Sequence, residues 1–289
     1  MEQGLASDSG NVAVPPGEAA RARLFSLASI DRLGRAWLRW AKVPGELLSF
    51  SLITLTVLVR KRKHAAAVVR PRIYDQVATA GIRLLPIAGF LAIALGFVVL
   101  GQTVALLTQV GAQAYVGNVM VVAVVRELGP LVTAMVVLMR TGTSTVIELG
   151  TARAMGEVEA LEALGIDPIH YLVVPRVIGT AIAVMGLSSY LTLGALVSGY
   201  AFAFLQNIPI TPNEYVRQLA LALSWQDFVF LTMKCFSFGV VIAMVTCFQG
   251  LARPLDLGDI SRSTTRALVG SLVLCVLLDA LFILLFLVT

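Results

Sequence analysis

The chain has 289 residues, 58% of them hydrophobic and only 13% charged, with a mean hydropathy of +0.87. A soluble domain carries about 25% charged residues, so a water-soluble enzyme or binding module is excluded and an integral membrane protein is expected. Net charge is +5, and 13 of the 22 Lys and Arg residues lie in the first 83 positions, among them Arg60-Lys61-Arg62-Lys63. That bias places the N-terminal region on the cytoplasmic side. Without interleaved aromatics or a nucleic-acid motif it does not describe a nucleic-acid surface.

Residues 1–20 are polar, include Pro15-Pro16-Gly17, and lack the basic-then-apolar order of a signal peptide; a disordered tail is expected. Over residues 21–42, Ile30, Leu33, Trp37 and Trp40 recur every three or four positions. Arg32, Arg35, Arg39 and Lys42 do the same two residues out of phase. At 100° per residue the two sets face opposite ways, which predicts a helix lying in the membrane interface; a helix packed on protein is the alternative. The apolar stretch 45–59 ends at Arg60 and falls short of the roughly 20 residues that cross a bilayer, so a half-inserted elbow is expected. Residues 21–83 thus read as interfacial and elbow helices, and 84–289 as the membrane domain.

Between Arg83 and Arg126 no charge occurs, enough for span 1 at about 84–108, a short loop near Gly111–Gly117, and the start of span 2 at about 119–147. A second charge-free run between Arg176 and Glu214 supplies span 3 at about 172–203. The segment Gln206–Asp227, with Pro209 and Pro212, reads as an extracytoplasmic loop with a short surface helix. Spans 4 and 5 follow at about 228–250 and 267–288. The predicted class is therefore all-α, a polytopic membrane protein with about five spans, its N-terminus cytoplasmic and its C-terminus outside. Five is an odd number to enclose a pathway, and two copies would supply ten helices around a shared cavity. No internal repeat of the kind common in secondary transporters is visible.

Three ionisable residues fall inside predicted spans: Glu127, Lys234 and Asp279. A charge at mid-bilayer costs at least roughly 2.5–3.5 kcal/mol, so such residues face a cavity or one another. They read either as a polar patch in a lipid-binding or translocation cavity or as a structural ion pair between spans 4 and 5, and the two are compatible. Arg126 and Arg140 are expected near the ends of span 2, snorkelling to headgroups. Cys235, Cys247 and Cys275 have no paired spacing and read as buried thiols. No lysine follows a glycine, which removes a phosphate-binding loop of the Walker type. A Gly-x-Ser-x-Gly elbow is missing, and His64 and His170 sit in unrelated segments. No catalytic residues, metal site or cofactor are expected on this chain.

One cytoplasmic segment stands out against this background. Glu157, Glu159 and Glu162 alternate with Val158, Leu161 and Leu164 in a mixed helix at 154–165, within a loop at about 150–168. The order Glu159-Ala160-Leu161, Gly165, Asp167-Pro168 and Pro175 resembles the Glu-Ala-Ala…Gly…Pro loop of ABC-transporter permeases. The resemblance implies a coupling helix that docks on a separate ATPase subunit.

A more specific likeness covers about residues 70–289. Arg126-Glu-Leu-Gly-Pro130, Arg140-Thr-Gly142, Glu148-Leu-Gly150-Thr151, Ala160 to Pro168, Val174-Pro-Arg176 and Ile260-Ser-Arg-Ser-Thr-Thr-Arg266 resemble the MlaE (YrbE) permease family. Met139 stands where many relatives have glycine before the arginine. The resemblance implies a homodimer in a bacterial inner membrane, with ATP and Mg bound on the ATPase partner and an MCE-domain protein outside. It also implies a phospholipid or related hydrophobic substrate, and a place near the lipid cavity for Glu127, Lys234 and Asp279. Lipid is expected to pass through a cavity between protomers lined by spans 1, 2 and 5. A proton-coupled secondary transporter or a membrane-embedded lipid-modifying enzyme using the same carboxylates is the alternative.

Overall fold

The computed structural model describes residues 45, 47, 49–54, 56, 66–112, 115–206, 211–251 and 258–288. The expectations for the tail at 1–20 and the interfacial helix at 21–42 lie outside these residues, as does the elbow beyond residue 56. Phe50–Thr289 forms one compact unit, and all its regular structure among the described residues is helical.

Helix α1 (Ala66–Ala80) runs through a single 3-10 turn, Ile82–Leu84, into α2 (Leu85–Gln109). Helix α3 is one continuous run from Val116 to Ala154. It is followed by the short α4 (Glu157–Ala163) and by α5, Ile169–Leu205. After α6 (Pro212–Ala222) come α7 (Trp225–Leu251) and α8 (Ile260–Val288). Among the described residues five stretches are long and apolar enough to cross a membrane: Arg70–Leu107, α3, α5, α7 and α8. The chain is thus an all-α polytopic membrane protein, with five candidate spans among the described residues.

Every span is longer than the stretch expected for it. Span 2 extends over 39 residues where about 119–147 was expected, because Arg126, Arg140, Glu148 and Arg153 are all accommodated inside the helix. The helix is not uniform. Val121–Leu128 and Leu138–Gly142 are wider, π-type turns, and Ile169–Val173 forms a third at the start of α5. Proline sits two residues after the first and third of these, at Pro130 and Pro175. It has no N–H to return to the carbonyl four residues back, and π turns are where a helix absorbs such a fault.

Local chemistry sets the other ends. Thr211 is an N-cap: its Oγ1 accepts from the Glu214 N–H at 3.3 Å, with Pro212 at the first helical position. At the start of α7 the bond runs the other way, the Ser224 N–H donating to Asp227 Oδ2 at 2.8 Å.

The core has three layers. Leu84, Ala88, Val137, Leu187, Phe238 and Cys275 fill the middle. At one end α6 closes the bundle over Leu100, Val116, Met120 and Ala203. At the other, α4 sits on Leu149, Val177, Met244 and Cys247, near the helical residue Phe50, which meets Phe248 edge-on at 5.6 Å. Lipid gives no hydrophobic reward for bringing spans together, so close backbone packing at small residues must hold them. A Cβ on Gly96 would overlap Ser198 Oγ and the Ala195 carbonyl of α5, and one on Gly239 would lie 2.5 Å from Ala181 Cα.

Gly239→Ala is therefore expected to cost about 1–3 kcal/mol through overpacking, whereas Gly186→Ala, with nothing within 4 Å of the added carbon, should cost nothing. Thermal unfolding of the two variants in the same detergent checks this, and equal midpoints would contradict the packing assigned to α5 and α7.

Candidate functional site

Three features of the bundle can carry chemistry or binding. The first is α4, which stands between two glycines in left-handed conformation, Gly156 (φ 76°) and Gly165 (φ 75°). Gly156 stops α3 and redirects the chain, so the mixed helix expected at 154–165 is instead seven residues long, and 150–154 belong to α3. Gly165 closes α4 with paired bonds, Ile166 N–H to the Leu161 carbonyl and Gly165 N–H to the Glu162 carbonyl, each 2.9 Å. That is the Schellman arrangement, which needs the left-handed residue. Val158 is buried against α3, α5 and α7 and pins the helix down.

The remainder of α4 faces outward. Glu157, Glu159, Ala160 and Glu162 are exposed, Leu161 is half-buried, and Met155 and Leu164 flank them at 67% and 75% exposure. Of the apolar trio Val158, Leu161 and Leu164 expected to form an outer surface, Val158 is core. Glu157 and Glu159 lie in the first turn, where carboxylates favour the helix dipole. The Arg153–Glu159 pair at 3.8 Å, half-buried on the Arg153 side and exposed on the Glu159 side, is long and contributes little. Asp167 and Pro168 form the turn into α5, with Asp167 Oδ1 accepting from the Ile169 N–H at 3.1 Å. Pro175 is buried inside α5 and presents no surface; it acts through the π turn before it.

The second feature is an ion cluster inside the spans. Lys234 of α7 is almost fully buried, and its Nζ donates to Glu127 Oε2 at 3.0 Å and to the Arg126 carbonyl at 2.8 Å. It also lies 2.7 Å from Asp279 Oδ1 of α8. An ammonium has three protons, and three oxygens from two neighbouring helices meet it. The Arg126 carbonyl is the one that Pro130 leaves without its usual partner. Sequence reasoning named Glu127, Lys234 and Asp279, and the structure brings all three together.

The expectation for Arg126 is overturned. It does not snorkel from a helix end, since span 2 begins ten residues earlier. Its Nε lies 2.8 Å from Asp227 Oδ1, too bent for a hydrogen bond, and its guanidinium carbon stands 4.3 Å from the centre of the Phe286 ring. Asp227, expected at the end of a loop, is buried to 2% exposure in the first turn of α7. The motif Ser224-x-x-Asp227 is the signal that could have moved it to a helix start. Arg140 is exposed on α3. With Arg126 and Lys234 set against Glu127, Asp227 and Asp279, the cluster is formally one negative charge in excess, which a proton or a cationic group would neutralise.

The third feature was not legible as residues. An apolar groove of about 320 Å³ opens between α2 and the start of α3, lined by Val98, Val99, Gln102, Thr103, Leu106 and Leu107, with Val119 opposite. This groove belongs to spans 1 and 2 of a single chain, and Glu127, Lys234 and Asp279 do not line it. Among the described residues no group of three or more His, Cys, Asp or Glu is placed to share a metal ion.

Comparison with known proteins bears on the class. A family model described as Permease MlaE matches residues 73–285. A probable ABC transporter permease protein of Rickettsia bellii is 26% identical over 244 residues, covering 84% of this chain and 92% of that protein. One of Synechocystis is 35% identical over 167 residues, 56% of this chain and 61% of its own length. The Arabidopsis thaliana chloroplastic protein TRIGALACTOSYLDIACYLGLYCEROL 1 is 34% identical over 169 residues, 57% of this chain and 47% of that one. The chain belongs to the MlaE permease family.

Removing the ammonium by Lys234→Met strands two carboxylates and is expected to cost about 3–5 kcal/mol, the usual penalty for breaking a buried pair. Lys234→Met with Asp279→Asn should recover part of that loss. Unfolding of both variants in detergent measures it. A double variant no more stable than the single one would show that Lys234 and Asp279 are not energetically coupled.

Proposed function

We propose that this chain is the membrane subunit of an ABC transporter that moves phospholipid, or a related hydrophobic compound, between a bacterial inner membrane and the outer envelope. The observation that carries the reading is α4. It is a short helix, locked between two left-handed glycines, anchored by one buried valine, with three carboxylates and two apolar side chains turned outward. No transmembrane requirement explains such a handle, whereas a separate ATPase needs one. Its acidic face fits a basic cleft on that partner, where ATP and Mg would be bound.

The groove supplies the substrate side. A channel of about 320 Å³ with apolar walls sits at the small end of ligand sites and suits an acyl chain, whose burial is worth about 0.8 kcal/mol per methylene. The plant relative is named for a diacylglycerol lipid, which agrees with that chemistry. The basic N-terminal region supports an orientation with α4 in the cytoplasm and α6 and the C-terminus outside, where an MCE-domain protein would receive or deliver lipid. A second copy of the chain would complete the enclosure around the groove. ATP-driven closure of the ATPase pair would reach the spans as a rigid-body shift. The family membership favours this reading over a proton-coupled transporter or a lipid-modifying enzyme built on the same carboxylates.

Reversing charge on the exposed face by Glu159→Lys with Glu162→Lys is expected to reduce recovery of the ATPase with the tagged permease at least about tenfold, the effect of losing roughly 1.4 kcal/mol. Membrane insertion should be unchanged. Variants that still recover a full complement of ATPase would remove α4 as the contact.

A further inference from the structure

We infer that Gln218, on the short helix α6, is a positioning residue that fixes the width of the apolar groove by tying α6 to the first turn of α3. This rests on the reading of that groove as an acyl-chain site. Gln218 Oε1 accepts from the Gly117 N–H at 3.2 Å. Gly117 is the second residue of α3, and its N–H is one of the first-turn donors that have no partner within their own helix. The side chain that satisfies it comes from 101 residues away in sequence.

The two helices touch at that point. A Cβ on Gly117 would lie 2.6 Å from Gln218 Cβ and 2.8 Å from its carbonyl carbon, so only glycine permits the approach. The Gln218 amide is held in turn, its Nε2 donating to Glu214 Oε1 at 3.4 Å. Helix α6 cannot drift as a whole. Tyr215 is buried, stacks 5.4 Å from the Tyr200 ring and donates from its hydroxyl to the Leu196 carbonyl of α5 at 3.1 Å. Burial pushes that phenol up to about 12, so it remains a donor across the physiological range.

The consequence for the groove comes from shared walls. Leu100 and Val104 of α2, Val116 and Met120 of α3 and Tyr215 of α6 form one cluster, with Val99 and Leu107 packed on its edge. Val99 and Leu107 also line the groove, and Val119, two residues beyond Gly117, is the wall contributed by α3. Apolar contacts of this kind have no direction and let helices slide; a hydrogen bond does not. The five-residue segment Val116–Met120 is joined to the rest of α3 through the π turn Val121–Leu128, where the helical ladder is already interrupted. Freed of Gln218, that segment can swing away from α2 and widen the groove; tied, it admits a straight chain and rejects a branched one.

The test uses the full chain in nanodiscs of phosphatidylethanolamine and phosphatidylglycerol. Two diazirine-bearing phosphatidylcholines, one straight-chained and one methyl-branched, compete for photolabelling of residues 98–107. The native chain is expected to favour the straight lipid. Gln218→Leu, similar in size without the acceptor, should lower that preference about fivefold, the effect of one lost neutral hydrogen bond. Gly117→Ala, which pushes the helices apart from the other side, should lower it as well. The exchanged pair Glu214→Gln with Gln218→Glu keeps an acceptor for Gly117 and should restore the native ratio. A preference unchanged in Gln218→Leu and Gly117→Ala, with residues 98–107 still labelled, overturns the strap alone. A native chain that is not labelled there overturns the groove reading and the strap with it.

Discussion

One ammonium group holds the charged interior of this bundle together. Lys234 Nζ lies among two carboxylates and a backbone carbonyl drawn from α3 and α8. Spans in lipid gain no hydrophobic energy by meeting one another, and an isolated charge among them is costly. The same cost, once the charge is paired, becomes specificity: only one relative placement of α3, α7 and α8 brings three oxygens to Lys234. The π turn in α3 and Pro130 behind it are part of this arrangement, because they release the Arg126 carbonyl towards α7. Arg126 then reaches Asp227, which caps α7 through Ser224. Helix start, ion pair and ion cluster form one connected structure.

This core separates two ends of the bundle. At one, α4 is displayed on Val158 between its glycines; at the other, α6 and the first turn of α3 flank an apolar groove. Transmission between them would run through α3, α5 and α7, which reach both ends. Close backbone contacts at Gly96 and Gly239 make α2 with α5, and α5 with α7, units that move together. The Glu148–Arg176 pair at 2.9 Å and the Arg72–Tyr171 hydrogen bond at 2.6 Å brace α3 and α1 against α5 near α4. On the proposed reading, a push on α4 would meet a stiff bundle.

Much of this was legible in the sequence, and the failures have physical causes. Long apolar runs with few or no charges placed the five spans found among the described residues, since lipid tolerates few charges and the pattern is coarse. Glu127, Lys234 and Asp279 were visible because a charge in such a run demands a partner. Arg126 was misplaced because a snorkelling arginine and a paired one look alike until Asp227 is known to lie in a helix cap. The break at Gly156 was missed because a glycine in a helical pattern reads as a tolerated weakness, and its left-handed conformation is a tertiary outcome. The groove was invisible as residues: Val98, Leu106 and Val119 look like any lipid-facing side chains until α2 and α3 are set side by side. Gln218 stood out from nothing in a segment read as a loop with a short surface helix, whose start Thr211-x-x-Glu214 marks.

Transport of lipid under the power of another chain is tested most directly by gentle-detergent purification of the tagged protein from its native membrane, followed by mass spectrometry of proteins and lipids together. The expected result is an ABC ATPase and an MCE-domain protein in fixed ratio to the chain, with phospholipid retained. A stable chain that purifies alone, without an ATPase, would contradict this and favour a transporter driven by protons through the carboxylates around Lys234.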